Sequence, residues 1–207
     1  MPRPARADTD GKQQERILSA ALDAFSKAGF EGAKVREIAA VAGCNHSIIR
    51  YYYENKDKLW RAAVRYLFER MDREMQIDDR ERKALQSGCA EAFETYLRRY
   101  VNYCARHPDH ARIMVQASVR SDERLTWAAD QFIRRQHQSL LPVLRTLIEK
   151  KVLPDCDPVH LIYIISAGCQ MMFTLSPEIE ATHGITIDAD QTEAYASAVI
   201  SLVLCRR

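Results

Sequence analysis

The segment VREIAAVAGCNHSIIRYYY, residues 35–53, decides how the N-terminal part of this chain folds. Within it, Ala39, Gly43 and Ile49 have the spacing of two short helices that cross at a tight turn. The small Ala39 allows the helices to approach closely, and Gly43 can adopt the left-handed conformation that ends a helix. Asn45 is placed to cap the second helix through its side chain. The segment therefore predicts a helix-turn-helix.

The side chains of the second helix divide between a core face and an outer face. With Ile49 at the core and about 100° between successive residues, Tyr53 points toward the core and Tyr52 lies on the rim. Ser47, Arg50 and Tyr51 point outward. Because such a helix lies in the DNA major groove with its first residues at the base edges, this face and its charged neighbours are expected to contact DNA. The predicted DNA-binding residues are Lys34, Arg36, His46, Ser47, Ile48, Arg50, Tyr51, Tyr52 and Lys56.

The whole chain is predicted to be all-α. Of its 207 residues 47% are hydrophobic and 28% are charged, and 7 Gly and 7 Pro are few for a turn-rich β protein. Apolar residues recur at helical spacing and predict about nine helices, one of them continuous from Glu81 to Ala105, with the polar stretch PEIEATHGITID as a connection. The predicted organisation is a flexible arm over 1–12, a helix-turn-helix domain over 13–59, and a helical domain over 60–207.

Composition also bears on the compartment. The six cysteines are scattered without a CxxC pair, and the polar N-terminus has no apolar signal-peptide core. The most apolar run, from Val159 to Leu175, includes His160 and Gln170, which favours a buried or subunit-interface helix over a membrane span. A cytoplasmic protein that does not insert into a membrane is the simplest interpretation, although the net charge of +2 is too small to indicate a nucleic-acid partner by itself.

The stretch GFEGAKVREIAAVAGCNHSIIRYYYENKDKLW resembles the N-terminal DNA-binding segment of the tetracycline-repressor (TetR) family of bacterial transcriptional regulators. The resemblance covers roughly residues 13–60 and implies a three-helix DNA-binding domain. It also implies that a long fourth helix leads into a ligand-binding and dimerisation domain over 60–207, with dimerisation through the last two long helices.

Three positions depart from the pattern of this family. Arg50 stands where a Tyr is usual, which is expected to alter the DNA sequence that is read. Lys34 replaces the usual Ser or Thr cap and leaves Glu37 without the hydroxyl partner of a capping box. Tyr53 replaces the usual Phe, so its hydroxyl must find a partner or reach water.

The remaining candidates lie in the C-terminal part of the chain. A small-molecule site is predicted among aromatic and polar side chains, with ordinary core packing as the alternative; these are Phe93, Tyr96, Tyr100, Met114, Phe132, His137 and Phe173. A dimer interface is predicted on the last two long helices, with burial inside one subunit as the alternative; its residues are Leu161, Ile164, Ile165, Gly168, Tyr195, Val199 and Leu202.

Catalytic and metal sites have little support in the sequence. Cys104, His107 and His110 are metal-binding residue types, but Pro108 breaks the helix between the histidines, so spacing does not place the three on one face. No phosphate-binding glycine loop, HExxH or GxSxG motif occurs. We therefore expect no metal, no cofactor and no enzymatic activity.

The function that these patterns favour is sequence-specific DNA binding by a homodimeric transcriptional regulator. We expect a repressor that an unknown small-molecule effector releases from a palindromic double-stranded operator. The alternative is a helical ligand-binding or interaction protein without operator DNA. That alternative predicts unchanged behaviour when residues 1–60 are removed.

Overall fold

The computed structural model describes residues 6–205, with side chains from Asp10 onward. Over this range the chain forms eleven helices and no β-strand, which confirms the all-α prediction. The helices are α1 Arg6–Gly32, α2 Val35–Val41, α3 His46–Tyr53, α4 Lys56–Glu74, α5 Asp79–Gln86, α6 Ala90–Arg106, α7 Pro108–Arg120, α8 (Glu123–Ala128, a π-helical turn Ala129–Ile133, and Arg134–Glu149), α9 Pro158–Thr174, α10 Ser176–His183 and α11 Ala189–Val203.

Two local features raise the helix number above the predicted nine. The helix expected from Glu81 to Ala105 is interrupted at Gly88, whose φ of 71° lies in the left-handed region. A Cβ at this position would come within 2.9 Å of Lys150 Cδ and 3.0 Å of Thr146 Cγ2, so a side chain does not fit. The predicted connection after α9 contains helix α10, which Pro177 near its first position favours.

The start of α1 differs from the predicted flexible arm. Residues 6–12 are helical, while residues 1–5 lie outside the described residues. Asp10 lies near the start of the helix, where an acidic side chain is favourable to the helix dipole. At the other end, Gly29 has a non-helical conformation (φ 70°, ψ 177°), close to the predicted end of the first helix, and the helix resumes as far as Gly32.

The chain divides into two compact units. The first comprises residues up to 70 together with 112–125, and the second comprises 71–111 and the residues from 126 onward. Helices α4 and α7 contribute residues to both units, so the domain boundary predicted at residue 60 stays a prediction.

Each unit has its own apolar core. The first unit buries Ile17, Leu22, Phe25, Ile38, Ile49, Leu59, Trp60, Val64, Leu67 and Phe68. The second buries Phe93, Leu97, Val101, Tyr103, Leu144, Leu147, Leu161, Ile162, Ile165, Cys169, Phe173, Val199 and Ile200.

Among the described residues, no single helix is long and apolar enough to cross a membrane. Helices α9 and α10 reach that length and composition only when taken together, and they are bent by 61°.

Candidate nucleic-acid interface

The turn between α2 and α3 is closed by backbone hydrogen bonds. The N–H groups of Gly43 and Cys44 donate to the carbonyls of Ala40 and Ala39 at 3.1 and 3.0 Å, a Schellman arrangement with Gly43 at φ 64°. The side chain of Asn45 then accepts the N–H two residues further on, at 3.1 Å, as the sequence predicts. These bonds fix the direction of α3 relative to α2.

The faces of α3 lie as its helical spacing predicts. Ile49 is 2% exposed and anchors the helix in the core of the first unit. Tyr51 is 79% exposed, and Ser47 and Arg50 are also exposed. Ile48 lies at the edge of this outer face, with 37% of its surface exposed. The outer face is therefore available to a partner.

The three consecutive tyrosines have three different environments. Tyr51 and Tyr52 make an edge-on contact, with ring centroids 5.2 Å apart. The Tyr52 hydroxyl donates to Asp10 Oδ1 at 3.2 Å, so the start of α1 contacts α3. Tyr53 points inward, as predicted, and its buried hydroxyl has no hydrogen-bond partner within the described part of the chain. Burial, with a smaller contribution from Tyr52, raises the pKa of Tyr53 to about 12.

Replacing Tyr53 with Phe is expected to raise the free energy of unfolding by about 1 kcal/mol, because it removes a buried hydroxyl without a partner. Urea unfolding measures this change. The gain should grow above pH 10: an unfolded tyrosine ionises there, whereas Tyr53 in the folded protein has a pKa of about 12, so only the wild type loses stability through this group. Tyr52→Phe, which loses the bond to Asp10, is the control and should show no gain at neutral pH. A less stable Tyr53→Phe variant would mean that the hydroxyl is satisfied.

The cationic side chains predicted to contact DNA differ in whether they already have partners within the protein. The side chains of Arg36 and Arg50 are exposed, and their guanidinium groups make no ion pair or hydrogen bond with any residue that the structure describes. Lys34 makes no capping bond, as predicted, and its Nζ pairs with Glu37 at 3.0 Å. Both partners of that pair are exposed, so a phosphate can replace Glu37 at little cost. Lys56 Nζ donates to the Glu31 carbonyl at 3.1 Å and keeps two further N–H donors.

His46 is half-buried at the start of α3, in line with a place near the base edges. The structure thus brings the predicted DNA-binding residues together on α2, α3 and the start of α4, all in the first unit. Their contacts with DNA remain a prediction.

The second unit contains two cavities of very different size. A groove of about 590 Å³ lies among the ends of α6 and α9, the start of α10 and the segment leading into α11; Asn102, Arg106, Phe173, Pro177, Ile185 and Thr186 contribute to its lining. A polar cavity of only about 10 Å³ lies among Tyr100, Tyr103, Cys104, His107, His110 and Gln170. Gln170 Nε2 donates to the Tyr100 hydroxyl there.

Most of the predicted ligand-binding residues do not line these cavities. Phe173 lines the groove and Tyr100 the small cavity. Phe93 is 1% exposed within the core, and Tyr96 packs against that core. Phe132 packs on Trp127 and His137 on Tyr163. Met114 lies in the first unit. These five do not line either of the two cavities described, and their role in ligand binding stays a prediction.

The small cavity brings Cys104, His107 and His110 together, which spacing alone did not predict. Both rings already have partners: His110 Nδ1 lies 2.8 Å from the Tyr103 hydroxyl, and His107 Nε2 lies 2.8 Å from Glu74 Oε1. Within residues 10–205, no group of three or more His, Cys, Asp or Glu side chains has the arrangement of a metal site.

The predicted dimer residues fall into two groups. Leu161, Ile165 and Val199 are 2%, 7% and 6% exposed and lie in the subunit core, so their place in a dimer interface stays a prediction. Tyr195 and Gly168 are joined by a hydrogen bond from the tyrosine hydroxyl to the glycine carbonyl. This bond engages both residues within the subunit.

Ile164 and Leu202, the other two predicted dimer residues, are 58% and 86% exposed. Tyr163, Met171 and Leu175, which the sequence prediction did not include, are also exposed apolar side chains. The spacing of seven between Ile164 and Met171 is the signal that places these two residues on one face.

Family models cover nearly the whole described chain. The model for bacterial regulatory proteins of the tetR family matches residues 17–63. The model for the C-terminal region of YcdC-like proteins matches residues 74–206, which is more than half of the chain. The first match spans the helix-turn-helix, and the second begins at the last residue of α4.

Individual relatives agree with these matches. The HTH-type transcriptional regulator RutR of Escherichia coli (strain K12) is 26% identical over 177 residues, covering 84% of this chain and 80% of the relative. The HTH-type transcriptional repressor NicS of Pseudomonas putida is 28% identical over 149 residues, which cover 70% of this chain and 65% of NicS.

Among solved structures, AibR in complex with isovaleryl coenzyme A and operator DNA has a TM-score of 0.72 at 14% identity, covering 92% of this chain and 97% of AibR. A likeness at this identity shows the shared fold. Taken with the family matches, these findings show that the chain belongs to the TetR family and is a DNA-binding transcriptional regulator.

Proposed function

We propose that this regulator is a cytoplasmic, homodimeric repressor that binds a palindromic operator and leaves it when a small molecule binds the second unit. The observation that carries the proposal is the outer face of α3, which presents Ser47, Arg50 and Tyr51 to solvent around a buried Ile49. The unengaged guanidinium groups of Arg36 and Arg50 suit phosphate or guanine. The names of the relatives support regulation rather than enzymatic activity.

The dimer proposal rests on an exposed apolar stripe on α9. Ile164, Met171 and Leu175 recur at spacings of seven and four, so they share one face of the helix. They are 58%, 39% and 43% exposed, and Leu202 near the end of α11 is 86% exposed. A continuous apolar surface of this kind typically marks an interface. Two such subunits related by a two-fold axis would read two half-sites of opposite orientation, which is why a palindrome is expected.

The groove of the second unit is the proposed effector site. Its volume of about 590 Å³ lies in the range of small-molecule sites, roughly 300–1,000 Å³. Phe173 and Ile185 supply apolar surface, and Asn102 and Arg106 supply polar groups, so a flat or amphipathic molecule fits its chemistry. The effector must bind the DNA-free form more tightly than the DNA-bound form, since equal affinity for both would leave the equilibrium between them unchanged.

Selection from random double-stranded DNA, followed by anisotropy titrations at several salt concentrations, tests the proposal. We expect enrichment of a palindromic sequence and an affinity that falls steeply with salt. No specific, salt-sensitive binding to any sequence would reject it. Removal of residues 1–60 should abolish DNA binding and leave effector binding to the second unit. Unchanged behaviour would favour an interaction protein.

Replacing Ile185 with Trp is expected to fill the groove and abolish effector binding. A thermal-shift screen of small amphipathic compounds identifies those that both raise the melting temperature and weaken DNA binding. In the presence of about a hundredfold excess over Kd, such a compound stabilises the wild type by about 2.7 kcal/mol, and Ile185→Trp should lose this shift. Thr182→Trp, at an exposed position of α10 that does not line the groove, is the matched control. An undiminished shift in Ile185→Trp would place the effector elsewhere.

A further inference from the structure

Arg124, the second residue of α8, contacts α1 and the first turn of α4. Its guanidinium carbon lies 3.6 Å from the centre of the Phe30 ring, a close cation–π stack. The guanidinium also pairs with Asp122, and it lies 3.7 Å from Asp57 Oδ1 in the first turn of α4. With 19% of its side chain exposed, Arg124 is largely covered.

Phe30 also contacts a second cation, Lys56. The Lys56 Nζ lies 4.8 Å from the centre of the same ring and donates to the carbonyl of Glu31, the residue after Phe30. Phe30 in turn stacks on the buried Phe25, with centroids 6.1 Å apart. The position of Phe30 therefore sets where the Lys56 ammonium lies.

Two further contacts hold the C-terminal half of α7 against α1. Gln116 Nε2 donates to the Ser26 carbonyl at 3.0 Å, and Arg120 pairs with Glu31 at 3.5 Å. A cavity of only about 20 Å³ remains between these side chains and Phe30, so the ring has little room to move while Arg124 covers it.

We propose that Arg124 is a positioning residue for DNA binding: through Phe30 and Asp57 it fixes the first turn of α4, so that Lys56 presents its ammonium to a DNA phosphate. The proposal rests on the proposed function. Lys56 carries the contact itself, at a helix N-terminus that already favours an anion. Arg124, whose guanidinium is occupied by Phe30, Asp57 and Asp122, acts through it.

A double-mutant cycle on operator affinity tests this role. Lys56→Ala and Arg124→Ala should each weaken binding about tenfold, the loss of roughly one charge-assisted hydrogen bond. Each should also lower the slope of log affinity against log salt by about one phosphate contact. The double variant should bind no more weakly than either single variant, because both changes remove the same contact. Losses that multiply to about a hundredfold would show independent action and overturn the proposal.

Matched variants separate positioning from folding. Arg120→Ala removes a more exposed ion pair from the neighbouring turn of α7 and should leave operator affinity unchanged. Phe30→Leu keeps an apolar side chain but removes the ring, so it should reproduce the loss seen in Arg124→Ala even if the latter folds poorly. Wild-type affinity in Phe30→Leu would also reject the proposal. If the wild type binds no DNA sequence, the proposed function fails, whereas specific binding with multiplicative losses rejects only the role of Arg124.

Discussion

Replacing Ile164 with Asp is expected to convert the dimer into a monomer and to lower operator affinity by about a hundredfold to ten-thousandfold, because a monomer loses the second linked half-site. Ile164 is the first residue of the exposed stripe on α9, and 58% of its surface is open to solvent in the single subunit. An aspartate in an apolar interface would bury an unpaired charge in each subunit, which is strongly unfavourable.

The same exposure makes the folded monomer tolerant of the change, since an aspartate there stays in water. Sedimentation at micromolar concentration measures the mass, and anisotropy measures operator binding. Val119→Asp is the matched control, because Val119 is 81% exposed on α7 and lies outside the proposed interface. It should remain dimeric and bind DNA as the wild type does. A dimeric Ile164→Asp protein would move the interface to another surface.

Helical spacing was sufficient to predict the faces of the helix-turn-helix because α3 has a single buried residue, Ile49. Once Ile49 is placed in the core, steps of about 100° put Tyr51 outside and Tyr53 inside, as found. The cap at Asn45 and the left-handed Gly43 are local effects that depend on adjacent residues only. Local effects of this kind can be predicted from a single sequence.

Spacing could not decide which side of α9 faces the subunit core. This helix carries apolar side chains all round, so Leu161 and Ile164 look alike in the sequence although they are 2% and 58% exposed. The contacts of Tyr52 with Asp10 and of Arg124 with Phe30 join residues far apart in the chain. The spacing of apolar residues along the sequence does not predict contacts of this kind. The groove could not be predicted either, because it forms where the ends of several helices meet.

Replacing Arg50 with Ala is expected to weaken operator binding about tenfold to a hundredfold, because roughly one bidentate contact is lost. The melting temperature should not fall. The Arg50 side chain is exposed and makes no ion pair or hydrogen bond with any described residue, so its removal costs the fold little. Anisotropy at several salt concentrations, with thermal unfolding in parallel, measures both effects. Arg134→Ala, an exposed arginine of α8 in the second unit, is the control and should change neither.

The nature of the Arg50 contact follows from which sequences lose affinity. If Arg50 reads guanine, Arg50→Ala should relax the preference at one operator position, and Arg50→Lys should not restore it, because an ammonium lacks the planar pair of donors. If Arg50 binds phosphate, all sequences should weaken alike and Arg50→Lys should recover most of the affinity. Arg50→Tyr supplies the residue that is usual in the family. This variant should select a different operator sequence only if Arg50 reads guanine. Equal loss of stability and DNA affinity in Arg50→Ala would instead assign the side chain to the fold of α3.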